Sequence, residues 1–174
     1  MNYATIKPFD VANGPGVRVS VFVSGCTHHC KGCFNQEAWD FSYGSEFTQE
    51  TMEKILSYLE PTHIKGLSLL GGEPFEYRNQ QGLLPLLREV KRRFPQKDIW
   101  CYSGYRFDED ILEKMCKEYE VTREMVSYLD VLVDGKFVLE QKNINLRFRG
   151  SANQRIIKVK ESLRENKIIL WEEK

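Results

Sequence analysis

Three cysteines within eight residues, Cys26, Cys30 and Cys33, constrain this chain more than any other feature. They lie in Gly25-Cys26-Thr27-His28-His29-Cys30-Lys31-Gly32-Cys33-Phe34-Asn35, directly after Val17-Arg18-Val19-Ser20-Val21-Phe22-Val23. Valine at every second position of that run predicts a β-strand. Ser24 and Gly25 end it, so the thiols fall on the loop at the C-terminal end of the strand, where α/β folds place their chemistry. Such spacing suits a loop wrapped around one soft metal centre. A structural zinc takes four protein ligands, and His28, His29 or a distant cysteine would supply the fourth. A cubane 4Fe–4S cluster normally takes four cysteines in differently spaced runs; held by three, it leaves one iron open to a substrate. The spacing alone leaves zinc, an iron–sulfur cluster and free thiols all open.

A second motif narrows the choice. Leu67-Ser68-Leu69-Leu70-Gly71-Gly72-Glu73-Pro74 is an apolar run ending in two glycines, a carboxylate and a proline. The glycines let the backbone pass close to a ligand, Glu73 presents an acceptor, and Pro74 fixes the local φ. CxxxCxxC after one strand and GGEP after the next resembles the radical S-adenosylmethionine (SAM) superfamily. Further matches recur in order: Asn13 to Arg18, Phe22 to Cys26, Cys33-Phe34-Asn35, Asp98-Ile99-Trp100, Ser103-Gly104-Tyr105, Val131 to Phe137, and Arg149-Gly150-Ser151 with Asn153-Gln154. Together they resemble the activating proteins of anaerobic (class III) ribonucleoside-triphosphate reductase, over about residues 1 to 155.

The resemblance implies a glycyl-radical-enzyme activase. Cys26, Cys30 and Cys33 would hold a 4Fe–4S cluster whose open iron binds SAM. Reductive cleavage of SAM would give a 5′-deoxyadenosyl radical that abstracts hydrogen from a glycine of the large reductase subunit. The implied partners are that subunit and a flavodoxin-like electron donor. Implied SAM contacts are Gly71, Gly72, Glu73 and Pro74, with Ser103, Asp134 and Lys136 at the same end of the fold. One departure concerns the adenine: the superfamily often has an aromatic just before the third cysteine, where this chain has Gly32, with Phe34 following. The resemblance therefore points to backbone around Gly32, Cys33, Phe34 and Asn35 for that contact, and to His28 and His29 as residues that shield or tune the cluster. Two competing readings are a radical SAM enzyme acting on a small molecule, of the deazapurine carboxylate synthase type, and a zinc-stabilised binding module.

Composition excludes several classes. Lysine and arginine number 25, as do aspartate and glutamate, so no overall field favours nucleic acid or an acidic membrane surface. Five cysteines, an odd count with three of them clustered, do not make a disulfide framework. No signal peptide and no membrane span are expected, and a reduced cytoplasm fits. Cys101 and Cys116 read as packed thiols.

The rest of the chain alternates strands with helices. Helices are expected over about 36–40, 48–59 (with Thr48 as N-cap), 80–94 and 108–119, the last with Tyr119 inward. Strands are expected over 64–70, 98–103 and 129–133, with two less regular ones over 155–159 and 167–171. Arg18, opposite the valines of its strand, reads either as a solvated charge or as a residue near the cofactor. Lys91, Arg92 and Arg93 read as a solvated helix end or a docking patch, and Trp171 as a flank residue or a partner anchor. The pattern implies parallel βαβ units. The expected fold is therefore one α/β domain over residues 1–174, a partial (open) βα barrel of the radical SAM type with mainly parallel strands. Residues 156–174 would form an extension.

Overall fold

The computed structural model describes residues 1–173. Seven strands form one mixed sheet: β1 (Asn2–Asp10), β2 (Val17–Val23), β3 (Ser45–Glu46), β4 (Ile64–Gly71), β5 (Asp98–Ser103), β6 (Val131–Asp134) and β7 (Arg155–Lys158). Their spatial order is β3-β1-β2-β4-β5-β6-β7, and the two end strands do not pair, so the sheet stays open. The central four, β2, β4, β5 and β6, are parallel, as the βαβ pattern requires. On the flanks of this parallel centre, β1, β3 and β7 all pair antiparallel.

Strand alternation decides what each face meets. Val19, Val21 and Val23 point into the main core with Leu67, Leu69, Ile99, Cys101 and Leu132. That core is closed by α1 (Gln49–Leu59) and α2 (Tyr77–Arg93), which contribute Ile55, Leu56, Leu83 and Leu87. Thr48 caps α1 in a reciprocal box with Thr51. On the opposite face Trp100, Val131, Val133 and Phe148 make a smaller cluster, onto which Trp171 folds. Trp171 thus packs on the flank of its own sheet. Its segment follows β7 through a single bridge, Ile157 to Leu170, instead of a full strand.

The region expected as one helix over 108–119 divides in two. Phe107–Met115 (α3) is wound as a π-helix: Ile111 N–H donates to Arg106 O, five residues back. A short turn follows, and Tyr119 leaves helical geometry at φ −126° before α4 (Glu120–Tyr128) begins. Tyr119 is therefore not inward; it is partly exposed against Tyr77, with ring centroids 4.7 Å apart. The cations at the end of α2 are paired, Lys91 with Asp130, Arg92 with Glu89, and Arg93 with Glu89 and Glu53. Those pairings describe a saturated helix end.

Arg18 is neither solvated nor beside the candidate site. It is fully buried, donating to Ser68 Oγ, Leu67 O, Pro15 O and Asp98 Oδ1. A comparable hub sits before β6. Asp130 accepts from Ile99 N–H (2.8 Å), Lys91 (3.0 Å) and Lys160 (2.9 Å), tying β5, α2 and α5 (Val159–Glu165) together. Burial opposes ionisation of this carboxyl, but those three donors outweigh it and hold its pKa below the ordinary 3.8. A carboxyl more acidic in the folded than in the unfolded state stabilises the fold above its unfolded pKa. That contribution is lost as pH falls through the folded value. Asp130→Asn is expected to cost on the order of 1–2 kcal/mol in urea unfolding at pH 7. The gap from the unsubstituted protein should shrink as the pH is taken below the carboxylate range.

Candidate functional site

The C-terminal ends of the parallel strands open onto one cavity of about 370 Å³. That volume falls within the roughly 300–1,000 Å³ of small-molecule sites. Cys26, Cys30 and Cys33 all line it, with Phe34 and Asn35 beyond them, Gly71, Gly72 and Glu73 at the end of β4, and Ser103 and Gly104 at the end of β5. Two motifs about forty residues apart in sequence are thus brought to one wall by the parallel register of β2 and β4, in which Val23 pairs with Gly71. Gly71 has φ +118°, and a Cβ there would overlap Val23 O. The close approach of the two strand ends therefore requires glycine.

The three thiols differ in setting. Cys26 is buried, while Cys30 and Cys33 are half-buried. Burial pushes the Cys26 thiol up to about 11 against the opposing amide of His28, and the Glu73 charge adds to the rise. Burial also raises Cys30, partly offset by the Phe137 amide and the Lys136 ammonium. A metal taking these thiols must displace their protons, so its binding energy works against those shifts. Among the described residues no three His, Cys, Asp or Glu side chains are gathered as ligands of a single ion.

Glu73 is the centre of the polar network. Its side chain accepts from His28 Nε2 (2.7 Å), Gly104 N–H (2.7 Å), Phe75 N–H (2.8 Å) and Ser103 Oγ (2.9 Å). The Glu73 amide donates to Gly25 O and the Gly72 amide to Val23 O, both at 2.8 Å. Asn79 Nδ2, from α2, donates to Ser24 O (3.0 Å) and Glu73 O (2.9 Å). The acid and the Ser103 hydroxyl are therefore engaged with one another and with the chain. The Gly71–Gly72 edge lines the cavity beside them with no side chain in the way.

Other expected site residues are placed differently. Pro74 is buried behind the turn, outside the cavity wall. Asp134 is fully buried and also outside the wall. It accepts from Phe107 N–H (2.7 Å) and from Arg155, whose Nε and Nη2 lie 3.0 and 2.7 Å from its oxygens. Lys136 is exposed, on the Cys30 side. Gly32 is exposed beneath Leu139 and does not line the cavity, whereas Phe34 lines it while being 93% exposed. His29 stacks on Trp39, centroids 4.4 Å apart.

Several lining residues were not expected at the site from sequence: Phe22 and Phe137, which appeared only within matching motifs, and Tyr102 and Phe148. Strand alternation places Phe22 and Tyr102 on the face opposite the valines, which was the available signal. The Arg149–Gln154 motif acquires a physical role. Gln154 Oε1 accepts from Gly150 and Ser151 N–H, and its Nε2 donates to Gly135 O. Asn153 Nδ2 donates to Lys136 O. The motif pins the returning chain to the turn after β6, and Arg149 then lines the cavity.

Comparison with known proteins agrees with this site. The family model described as a 4Fe-4S single cluster domain matches residues 12–157. The chain is 48% identical over 162 residues to the anaerobic ribonucleoside-triphosphate reductase-activating protein of Haemophilus influenzae, covering 92% of this chain and 99% of that one. It is 43% identical over 158 residues to the protein of the same name from Enterobacteria phage T4, with 90% and 93% covered. To that of Escherichia coli K12 it is 41% identical over 156 residues, with 88% and 96% covered. With similarity of that extent running through both cavity motifs, the chain belongs to the family of anaerobic ribonucleoside-triphosphate reductase-activating proteins, built on a 4Fe-4S single cluster domain.

Proposed function

We propose that this chain activates an anaerobic ribonucleoside-triphosphate reductase as a radical SAM enzyme with an open-barrel fold of that type. Cys26, Cys30 and Cys33 would hold the 4Fe–4S cluster, and the adjoining cavity would take SAM. The observation that carries the reading is the shared wall: three thiols, the Gly71–Gly72 edge and the end of β5 meet around one cavity.

The donor set fits the group. Thiolates are the ligands of iron–sulfur clusters. Each thiolate of a cubane binds a different iron, so three cysteines around a cavity wall suit a cluster without converging on one point. A single zinc would need four ligands at one centre, and the Nε2 of His28 is already engaged by Glu73. When bound, the cluster and SAM would supply one-electron cleavage chemistry directed at a glycine of the partner.

The chain's own residues bind, orient and shelter. Backbone at Gly71 and Gly72 would hold the amino acid end of SAM, and backbone from Cys33 to Asn35 the adenine side. Glu73 and Ser103 hold the turn that presents the glycines. Asp134 acts from behind the wall, fixing Arg155 and the start of α3. Lys136 offsets part of the rise that burial gives the Cys30 thiol. Phe22, Tyr102 and Phe148 line the inner cavity with aromatic surface that limits water. The unclosed sheet suits a substrate that is a loop of another protein, the large reductase subunit. The electron would come from a flavodoxin-like donor. Among the described residues no helix is long and apolar enough to cross a membrane, and five free thiols suit a reducing cytoplasm.

The test uses protein reconstituted with iron and sulfide without oxygen, then reduced. Addition of SAM should change the cluster's EPR signal and release 5′-deoxyadenosine, and adding the reductase should produce a glycyl radical signal. A colourless protein with stoichiometric zinc and no SAM cleavage would overturn the reading.

A further inference from the structure

We infer that His28 is a positioning residue: it latches the cysteine loop onto the Glu73 turn, so that the thiols and the Gly71–Glu73 edge move as one unit. The functional meaning of the latch rests on the reading that this loop holds the cluster. Its geometry stands independently of that reading.

His28 lies midway between Cys26 and Cys30, in a segment with no helix or strand to fix it. Its side chain is nevertheless only 6% exposed, against 1% for Glu73, and the two meet at 2.7 Å through Nε2 and Oε1. A carboxylate only accepts, so Nε2–H is the donor. The other three donors to Glu73 come from Phe75, Ser103 and Gly104. His28 is thus the one that reaches this carboxylate from the cysteine loop.

The seat is shaped for the ring. A Cβ on Gly104 would stand 2.7 Å from both Cδ2 and Nε2 of His28, so any larger residue there would push the imidazole out. Tyr105 packs edge-on against the ring, with centroids 4.4 Å apart at 65°. The start of the loop has ties of its own: Gly25 O accepts from the Glu73 amide, Asn79 Nδ2 donates to Ser24 O, and Cys26 N–H donates to Trp39 O. Beyond Cys26 the other ties in this half are Thr27 N–H and Oγ1 to Glu76 Oε1, and these lie in solvent. Water competes for exposed bonds and hardly for buried ones, so beyond Cys26 the buried charge-assisted bond carries the constraint. Past His28 the backbone turns at His29, which is exposed at φ +52° and stacks on Trp39.

The test reads the full-length protein before any iron is added, by the rate at which iodoacetamide alkylates Cys26, resolved by peptide mass. Cys26 is buried, so its alkylation reports opening of the loop. His28→Ala is expected to raise that rate about tenfold, as for a local opening made easier by about 1.4 kcal/mol on losing one charge-assisted hydrogen bond. His28→Gln, which keeps a donor at similar reach, should restore most of the protection. Gly104→Ala leaves His28 in place chemically but unseats its ring, and should open the loop as much as His28→Ala. Combining the two should add little, because both remove the same contact. Thermal midpoints within a few degrees of one another would separate latch loss from global unfolding. In the iron-loaded protein, release of iron to a chelator should follow the same order.

An unchanged Cys26 rate in both His28→Ala and Gly104→Ala would overturn the latch, as would a His28→Gln variant as open as His28→Ala. Neither result would touch the proposed activity, which the unsubstituted, loaded protein reports. Failure of that protein to cleave SAM would in turn leave the alkylation order as a statement about the loop.

Discussion

Cys33→Ala is expected to fold normally, to retain little iron after reconstitution and to cleave SAM at least about a hundredfold more slowly than the unsubstituted protein. Cys33 is half-buried in a turn, held by a backbone bond from its amide to Cys30 O at 3.1 Å, and makes no part of either apolar cluster. Its removal therefore takes away a metal ligand and little packing, and the thermal midpoint should move by only a few degrees. Cys101→Ala is the informative contrast. Cys101 is fully buried in the main core and burial holds its thiol well above its ordinary value. It should lose some stability through a small cavity and keep its iron. If Cys33→Ala kept full iron content and normal SAM cleavage, the ligand assignment would be wrong.

Arg18→Ala should be strongly destabilising although it lies away from the site. The guanidinium is fully buried, 2.6 Å from Asp98 Oδ1 and 2.8 Å from Ser68 Oγ, and lies over the Trp100 ring at 5.7 Å. Deleting it strands the Asp98 carboxylate and the Leu67 and Pro15 carbonyls. Ser68 Oγ also donates to Asn13 O at 2.6 Å, so the loop before β2 loses its support as well. Breaking a buried pair from one side costs about 3–5 kcal/mol, and with Asp98 26% exposed the loss here should be about 3 kcal/mol. For a chain of this size that corresponds to a drop of roughly 6–12 °C in thermal midpoint. Arg18→Lys should recover little, since one ammonium cannot reproduce donors pointing in several directions. A loss below about 1 kcal/mol in urea unfolding would mean that the network contributes little net stability.

The local elements were legible in proportion to the strength of their periodic signal. The parallel strands β2, β4 and β5 and the helix α1 have clear apolar alternation or a clear cap. The nine-residue β1 was not read as a strand. It lies second from the edge, covered only at Asn2 and Tyr3 by the two-residue β3, buries only its last residue fully and carries Pro8, so neither a core-facing pattern nor an uninterrupted run marks it. The split at Tyr119 was hidden for a different reason. The apolar positions of 108–119 satisfy a helical period, whereas π-winding changes which of them face inward.

The sequence by itself determined the chemistry on offer and its order along the chain. The spacing of three thiols left zinc, a cluster and free thiols open, and GGEP after the next strand narrowed the choice through the family resemblance that the two motifs carry together. The tertiary structure alone decided which side chains are free to meet a ligand. Glu73, Ser103 and Asp134 sit near strand ends in sequence, yet folding saturates each with partners more than twenty residues away. The same long-range pairing makes His28 part of the framework and fixes Arg18 inside the fold. Hydrogen-bond demand in a buried place is met by whichever groups packing brings near, and that assignment is written in no local pattern.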